Sequence, residues 1–316
     1  MLTRLLQPTD FAALAIYLQK LFPQQIPSTA QTLQEEEAQA AQERVTGLVV
    51  GLIDDAIVAK VRYSEARSSE DLPATFWLYF SALPAYHTAP VFDALYEGVV
   101  AALQPYQLQV LLGMVREDDA LGVDFFQNHQ FREKLRSFGA NLDLTNFDPA
   151  SHSVNESHLQ ALGITIRTYA DLSDDPLRDR KIYDLQQATL SDIPNMGQFD
   201  AQTFETFVTD HLHGATMIPE AYMIASQGDQ YIGLSELFTS DEPGVFDTKA
   251  TCVTSAFRRL GVAQALKVRA LTYAKAQGGV RATTGMAATN TPIISLNLRL
   301  GFVPEPMWIT FEKSFV

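Results

Sequence analysis

The stretch Thr251–Lys267, TCVTSAFRRLGVAQALK, decides the fold of the second half of this chain. A β-rich run ends near Thr254, residues 258–261 turn the chain, and apolar residues at helical spacing follow. The first backbone N–H groups of a helix lack intrahelical partners, and the helix dipole is positive there. The stretch therefore predicts a strand–loop–helix unit that can bind an anion where its helix begins.

The residue types in this loop suit a phosphate. Gly261 and Ala263 keep side chains away from the amides, and Arg258 and Arg259 add positive charge and bidentate donors. The loop is not a P-loop or a dinucleotide fingerprint, because it lacks both Gly-Lys-Ser/Thr and G-x-G-x-x-G. Taken alone, the pattern R-x-x-G-x-A is also compatible with an ordinary strand–turn–helix unit that carries two solvated arginines.

The elements around this stretch follow the order βααβββαβαβ. Gln227-Gly228-Asp229-Gln230 has the composition of a hairpin turn, and Gly278-Gly279 ends the helix after the loop. The predicted elements of the second half are Ile164–Tyr169, Leu177–Leu190, Ala201–Leu212, Ala221–Ser226, Tyr231–Phe238, Phe246–Thr254, Val262–Gln277, Val280–Ala287, Pro292–Leu300 and Met307–Phe315.

The first half repeats this order and indicates a duplicated domain. Pro90 and Gly261 are 171 positions apart, and so are Phe131 and Phe302. A spacing shared by two distant landmarks predicts two related domains rather than a solenoid. The polar segment between the halves predicts a linker, so we expect domains at 1–148 and 159–316 joined by residues 149–158.

The composition indicates a folded protein without disulfides or membrane spans. Hydrophobic residues make up 47% of the 316 residues and charged residues 19%, which is ordinary for folded chains. The single cysteine, Cys252, excludes an internal disulfide and fits a reducing compartment. The chain contains neither a signal-peptide pattern nor a run of ~18 uncharged apolar residues. We therefore expect a cytoplasmic protein that has no membrane partner.

The formal charge of −14 bears on the partners. It argues against nucleic acid, since phosphate binding needs a surplus of Lys and Arg. An acidic field attracts cationic ligands such as amines. Acidity that serves only solubility is the simpler explanation of the charge.

In this context the loop resembles the pyrophosphate-binding motif of the GNAT N-acetyltransferase superfamily. The run Asn290–Phe302 is similar to that family's second signature, an Asn-led helix that ends in Leu-Gly-Phe. The order of elements is also that of a GNAT domain. The resemblance covers nearly all of the second half, and in arrangement it extends to the first half. A tandem arrangement of this kind is similar to the acyltransferase of mycothiol synthesis. It implies two α/β (α+β) domains, each with a mixed, mostly antiparallel sheet flanked by helices.

The resemblance implies acetyl-CoA as co-substrate, wedged where two parallel strands of the second half splay apart. The backbone of Cys252, Val253 and Thr254 would pair with the pantetheine arm, and the Val253 N–H would polarise the thioester carbonyl. The other residues implied in cofactor binding are Arg258, Arg259, Gly261, Val262 and Ala263 at the pyrophosphate, and Asn290 and Asn297 at the far side of the cofactor.

Two positions depart from the family pattern. Asn297 stands where many GNAT enzymes have a tyrosine that acts as general acid, and an amide cannot deliver a proton at neutral pH. That role is therefore unfilled or carried out by water. Met286 stands where tandem relatives usually have a polar residue. For the general base the candidate is Glu236, in the strand beside the cofactor-bearing strand, and a merely exposed strand glutamate is the alternative.

The remaining polar candidates suggest no further chemistry. Cys252 has no histidine nearby in sequence, so it is interpreted as a small strand residue rather than a nucleophile. His211 and His213 are two positions apart on a predicted helix and point to different faces, so no metal site is expected. His152 and His158 lie in the linker and form no ligand cluster.

The first half lacks the residues that bind pyrophosphate. At the loop position Pro90 replaces the glycine and removes a backbone donor, and Phe92 stands where a small residue is needed. His129-Gln130-Phe131 stands where the second half has Leu-Gly-Phe. We therefore predict a degenerate GNAT-like scaffold, which packs against the second half and walls the acceptor cleft.

These observations lead to a functional hypothesis. The chain is expected to be an acetyl-CoA-dependent N-acyltransferase that moves an acetyl group to a primary amine by direct attack, in its C-terminal half. A small molecule or a peptide supplies the amine, and the negative charge favours a cationic acceptor. The alternative is a non-catalytic acyl-CoA-binding sensor or partner-binding protein, which Asn297 keeps open. Monomer and homodimer are both compatible with the sequence.

Overall fold

The structure is a computed structural model that describes residues 1–24, 26–66, 74–152, 156–190 and 203–315. The chain splits into two compact units, one of Met1–Arg136 with Trp308–Val316 and one of Ser137–Met307. Each unit is a mixed α/β domain whose sheet is mostly antiparallel and flanked by helices, as predicted. Within the described residues, no helix combines the length and the apolar character that a membrane crossing requires.

The first half of the chain has the predicted order of elements. They are β1 (Leu2–Leu5), α1 (Phe11–Leu21), α2 (Ala30–Glu43), β2 (Thr46–Ile53), β3 (Ala56–Glu65), β4 (Thr75–Ala82), α3 (Ala89–Leu103), β5 (Val110–Arg116), α4 (Ala120–Asn128) and β6 (Arg132–Asp143).

The second half repeats this order. Its elements are α5 (Glu156–Ala161), β7 (Ile164–Thr168), α6 (Arg178–Leu190), α7 (Phe204–Thr206), β8 (Met223–Gln227), β9 (Gln230–Thr239), β10 (Val245–Val253), α8 (Val262–Ala276), β11 (Arg281–Ala287), α9 (Thr291–Arg299), β12 (Val303–Pro304) and β13 (Trp308–Ser314).

The strand order within each unit follows the same pattern. In the first unit the strand order is β1-β2-β3-β4-β5-β13, and β4–β5 is its parallel pair. In the second unit the order is β7-β8-β9-β10-β11-β6, and β10–β11 is its parallel pair. The predicted hairpin joins β8 to β9, where Gly228 has a φ of 57° that favours glycine.

Each unit takes its last strand from the other half of the sequence. Strand β13, at the end of the chain, pairs with β5 in the first unit, and Ser137–Asp143 of β6 pairs with β11 in the second. The predicted boundaries, 1–148 and 159–316, follow the duplication in the sequence. The compact units differ from these boundaries by this exchange, because pairing between distant strands leaves no local sequence signal.

Two segments differ in detail from the predictions. The predicted linker 149–158 contains a short 3₁₀ turn, Pro149–His152, and the start of α5. The helix predicted over 201–212 begins at Phe204 and continues as a π-helix over Phe207–Leu212, while residues 201–202 lie outside the described residues. A π-helix widens the turn and often marks a functional position.

Candidate functional site

The site lies where β10 and β11 part. The two strands pair in parallel over only four residues each, Val245–Thr248 with Arg281–Thr284. Beyond this point β10 continues along β9, and β11 continues along β6. Backbone groups on the facing edges of β10 and β11 are thereby left open to a ligand, as the resemblance implies.

Strand β10 directs one amide of the predicted set into this opening. The Thr254 N–H donates to the Ile232 carbonyl at 2.9 Å, so it faces β9. Successive residues of a strand direct their amides to opposite edges. Val253, opposite Gly233, therefore turns its N–H and C=O toward the opening, whereas the Cys252 amide lies on the β9 side. Of the three backbone positions expected to pair with a pantetheine arm, Val253 is thus the one oriented for it.

The loop after β10 has the backbone geometry on which the predicted anion site depends. Arg259 and Gly261 have φ angles of 63° and 87°, and α8 begins at the next residue, Val262. The Ala265 N–H donates to the Gly261 carbonyl at 3.0 Å, which is the first turn of the helix. The N–H groups of residues 262–264 have no intrahelical acceptor, and the positive end of the helix dipole lies there. Ala263 adds no bulk at this point.

Arg258 is tied to the strand that carries Val253. Its Nε donates to the Val253 carbonyl at 3.0 Å, which holds the guanidinium between the opening and the start of α8. Both Arg258 and Arg259 are exposed, so their charged groups are accessible to an anion.

Buried oxygens without partners lie on both sides of the opening. Thr254 Oγ1 follows β10, and Asn297 Oδ1 belongs to a side chain that is only 1% exposed; neither has a hydrogen-bond partner in the described part of the chain. Asn297 Nδ2 contacts Met286 Sδ at 3.7 Å, on β11 beyond its last pair with β10. Buried polar atoms normally have hydrogen-bond partners, so the two unpartnered oxygens of Thr254 and Asn297 suit a polar ligand. Asn290 is the partly buried N-cap residue of α9.

Cys252 is not suited to covalent catalysis. Burial raises the pKa of its thiol to about 11, and the negative charge of Glu236 contributes in the same direction. The side chain is therefore a neutral thiol at physiological pH, and nucleophilic attack needs the thiolate.

Glu236 is a buried carboxylate with a full set of donors. It is 1% exposed, so the alternative of an exposed strand glutamate does not hold. Oε1 accepts hydrogen bonds from Tyr222 Oη at 2.9 Å and from Gln186 Nε2, and lies 2.9 Å from His211 Nε2. Oε2 accepts from the Ala250 N–H at 3.0 Å, in the bulge of β10. These partners are distant in sequence and were not predicted.

In the first unit an aromatic cluster fills the corresponding opening. Strands β4 and β5 part after Leu78 and Gly113, as β10 and β11 do. Phe80 stacks on Phe92 at 5.2 Å and meets the edge of Phe126 at 6.2 Å between ring centroids. Gly113 makes room for Phe126, because a Cβ there would lie 2.2 Å from the Phe126 ring. Phe92 and Phe126 correspond to Ala263 and Asn297, each 171 positions later.

We predict that Phe92→Ala destabilises the first unit without creating a second cofactor site. Phe92 is 4% exposed, and loss of a buried phenylalanine costs about 3–5 kcal/mol. Urea unfolding measures the loss, and calorimetric titration with acetyl-CoA should still give one site. The reciprocal Ala263→Phe should block the site in the second unit. A stoichiometry of two for acetyl-CoA in Phe92→Ala would show that the Phe92 ring alone prevents binding in the first unit.

Part of the chain matches a known protein family. Residues 181–302 match the model of the acetyltransferase (GNAT) family. A comparison with curated proteins found no match.

Solved structures show the fold of the whole chain. A GCN5-related N-acetyltransferase from Sphaerobacter thermophilus has a TM-score of 0.67 and 18% identity, over 99% of this chain and 95% of that one. A tandem GNAT protein from the clavulanic acid biosynthesis pathway has a TM-score of 0.66 and 15% identity, over 99% of this chain and 98% of that one. At these identities the similarity is one of fold.

Proposed function

From the premise that this chain is a tandem GNAT-like protein whose residues 181–302 match the acetyltransferase family, we propose that it transfers an acetyl group from acetyl-CoA to a primary amine, at one site in its second half. The observation that carries the proposal is the join of β10 to α8, where Val253, Arg258 and Gly261 are arranged around a single opening. The opening in the first unit is filled by phenylalanines.

The residues of the second unit divide the binding of acetyl-CoA between them. The free amides at the start of α8, with Arg258 and Arg259, would hold the pyrophosphate. Gly261, Val262 and Ala263 provide the backbone of this cradle. Asn290 and Asn297 would contact the far side of the cofactor through their amide groups.

The Val253 N–H supplies the electrostatic part of the chemistry. A backbone donor aimed at a thioester carbonyl stabilises the negative charge that develops on its oxygen during attack, and removal of one such donor from an enzyme costs about 10²–10³ in rate. The amide cannot be removed by substitution, which makes its orientation in β10 the relevant observation. The acidic charge of −14 favours a cationic amine as the acceptor.

One observation favours a second candidate, a sensor that binds acyl-CoA without turnover. Asn297 is buried and stands where a tyrosine commonly acts as general acid, and it has no titratable proton at neutral pH. A sensor and an enzyme share the binding step and differ in whether CoA is released.

Calorimetric titration of the intact chain with acetyl-CoA tests the binding step. We expect a stoichiometry of one, because among the described residues the cradle lies in the second unit alone. A stoichiometry of two would contradict the proposed division between the units, and no binding would remove the proposal altogether.

A panel of primary amines, followed by the release of free CoA, tests the transfer step. We expect release above the rate of spontaneous hydrolysis for at least one alkyl amine, with the acetylated amine identified by mass spectrometry. Tight binding of acetyl-CoA with no release for any amine would favour the sensor.

A further inference from the structure

His211 and Glu236 form a pair outside the set of residues proposed to hold the cofactor. Their side chains meet at 2.9 Å, between Nε2 of the imidazole and Oε1 of the carboxylate. The Glu236 side chain is 1% exposed and that of His211 is 21% exposed. A substrate can therefore reach the histidine ring, but not the carboxylate behind it.

The surrounding donors determine which nitrogen of His211 carries the proton. The Ala250 amide and the Gln186 Nε2 can only donate, and both are bonded to Glu236. Glu236 therefore acts as an acceptor, and His211 Nε2–H donates to it. In the neutral ring this leaves the lone pair on Nδ1. Nδ1 has no hydrogen-bond partner among the described residues.

Packing fixes the plane of the ring. His211 lies in the π-helix and stacks on Phe207 at 4.9 Å between centroids, with an interplanar angle of 23°. The ring of Phe238, on β9, contacts another side of the His211 ring, with 5.1 Å between the ring centroids. With three aromatic neighbours, Tyr222 being the third, and one hydrogen bond, the ring has few alternative orientations, so Nδ1 keeps one direction.

The pair is linked to the strand that carries the thioester donor. Glu236 Oε2 accepts the Ala250 N–H in the bulge of β10, three positions before Val253. Cys252 lies between them in β10; burial raises the pKa of its thiol to about 11, and the negative charge of Glu236 contributes in the same direction. His211 and the Val253 amide are thus connected through one carboxylate and one short segment of strand.

We propose that His211 is the general base for the acceptor amine, that Glu236 is its positioning residue, and that the acceptor is an alkyl amine that arrives protonated. This inference rests on the proposed function. Glu236 holds the Nε2–H tautomer and provides the countercharge when the ring becomes an imidazolium. The titratable and charged groups near the ring include Glu236 on β9, Tyr222 before β8, and Lys249, whose Nζ lies 4.0 Å from the centroid of the Phe238 ring.

The proton and the acetyl group follow a balanced course. His211 Nδ1 takes one proton from the alkylammonium ion, and the freed amine nitrogen attacks the thioester carbon. The new C–N bond forms and the C–S bond breaks, so that the electron pair of that bond leaves with sulfur. The second nitrogen proton goes through water to the departing thiolate, giving the amide and free CoA. His211 then returns its proton to solvent.

Two acceptor amines of the same shape, one protonated at neutral pH and one not, distinguish a role of His211 in deprotonation from any other role. Phenethylamine is protonated at neutral pH, whereas O-benzylhydroxylamine is not and needs no base before attack. For His211→Gln we expect kcat/KM to fall about 100-fold with phenethylamine, within the usual range for a general base. With O-benzylhydroxylamine the rate should be retained. His213→Gln, two positions away, is the matched control and should leave both rates unchanged.

Two further readouts do not depend on this comparison. Added imidazole should restore phenethylamine acetylation in His211→Ala. Nitrogen NMR of the wild-type chain should show His211 protonated at Nε2 and unprotonated at Nδ1, and Glu236→Gln should lose this preference. Calorimetry should show that His211→Gln retains the wild-type affinity for acetyl-CoA.

The outcomes distinguish this inference from the function on which it rests. If the wild type acetylates both probes and His211→Gln slows them equally, His211 is not the base although the transferase stands. A proton on Nδ1 in the NMR spectrum overturns the inference whatever the activity. If the wild type binds acetyl-CoA but releases no CoA with any amine, the proposed transfer fails, and the base falls with it.

Discussion

Replacing Gly261 with aspartate is expected to abolish acetyl-CoA binding. Gly261 has a φ of 87°, a conformation that costs a side-chain-bearing residue about 1–2 kcal/mol. The new carboxylate would also occupy the start of α8, where the free amides are proposed to hold the pyrophosphate, and would repel it. Each lost charge-assisted hydrogen bond adds about 1.5–3 kcal/mol, so we expect binding to weaken by more than about 100-fold.

The duplicated sequence provides a matched control for this change. Pro90 stands at the corresponding position, is exposed, and lies in the first turn of α3. Pro90→Asp adds the same carboxylate to a helix start that lacks a cradle, so acetyl-CoA should bind with wild-type affinity and a stoichiometry of one. Calorimetry on both variants, with circular dichroism to verify folding, makes the comparison. Equal loss in both would contradict the assignment of the cradle to the second unit.

Local signals explain how much of the fold could be predicted. The loop at Gly261 and the hairpin turn at Gly228 both need a positive φ that glycine adopts readily, and both lie where expected. Helix α8 begins at Val262, directly after the loop, because its apolar stripe starts there. Such features depend on a few neighbouring residues, so the sequence displays them directly.

The remaining features depend on residues that are far apart in the sequence. The exchange of β6 and β13 has no local signature, since either strand could pair within its own half by pattern alone. The four donors around Glu236 come from separate elements, and only folding brings them together. One weak signal was present for His211: it lies four positions after the buried Phe207, which places it on the packed side of that segment.

Substitution of Lys267 is expected to have a large effect on the stability of the protein. It is 0% exposed, and its Nζ has no hydrogen-bond partner in the described parts of the chain. Its ammonium position lies 5.1 Å from the centroid of the Phe302 ring. Burial lowers the pKa of Lys267 from 10.5 to about 7, because the interior disfavours the charged form. The corresponding residue of the first unit, 171 positions earlier, is Tyr96.

Because its pKa is lowered in the folded state, Lys267 destabilises the folded protein by an amount that depends on pH. Between pH 7 and 10.5 the unfolded chain binds a proton at this lysine and the folded chain does not. The free energy of unfolding therefore rises with pH across this window, and the penalty is fully present below pH 7. This difference between the pKa values of Lys267 in the unfolded and folded states corresponds to a loss of about 4 kcal/mol in the free energy of unfolding at pH 7.

Lys267→Met should therefore stabilise the protein, by about 4 kcal/mol at pH 7 and by progressively less as the pH approaches 10.5. Methionine has a similar length, and its sulfur can contact the Phe302 ring. Urea unfolding at pH 7, 8.5 and 10, compared with the wild type at each pH, measures the effect. The exposed Lys20→Met is the control and should change stability by less than about 0.5 kcal/mol at every pH. A gain that does not vary with pH would show that packing, rather than the buried amine, is responsible. A loss of stability would show that Lys267 has a polar partner in solution.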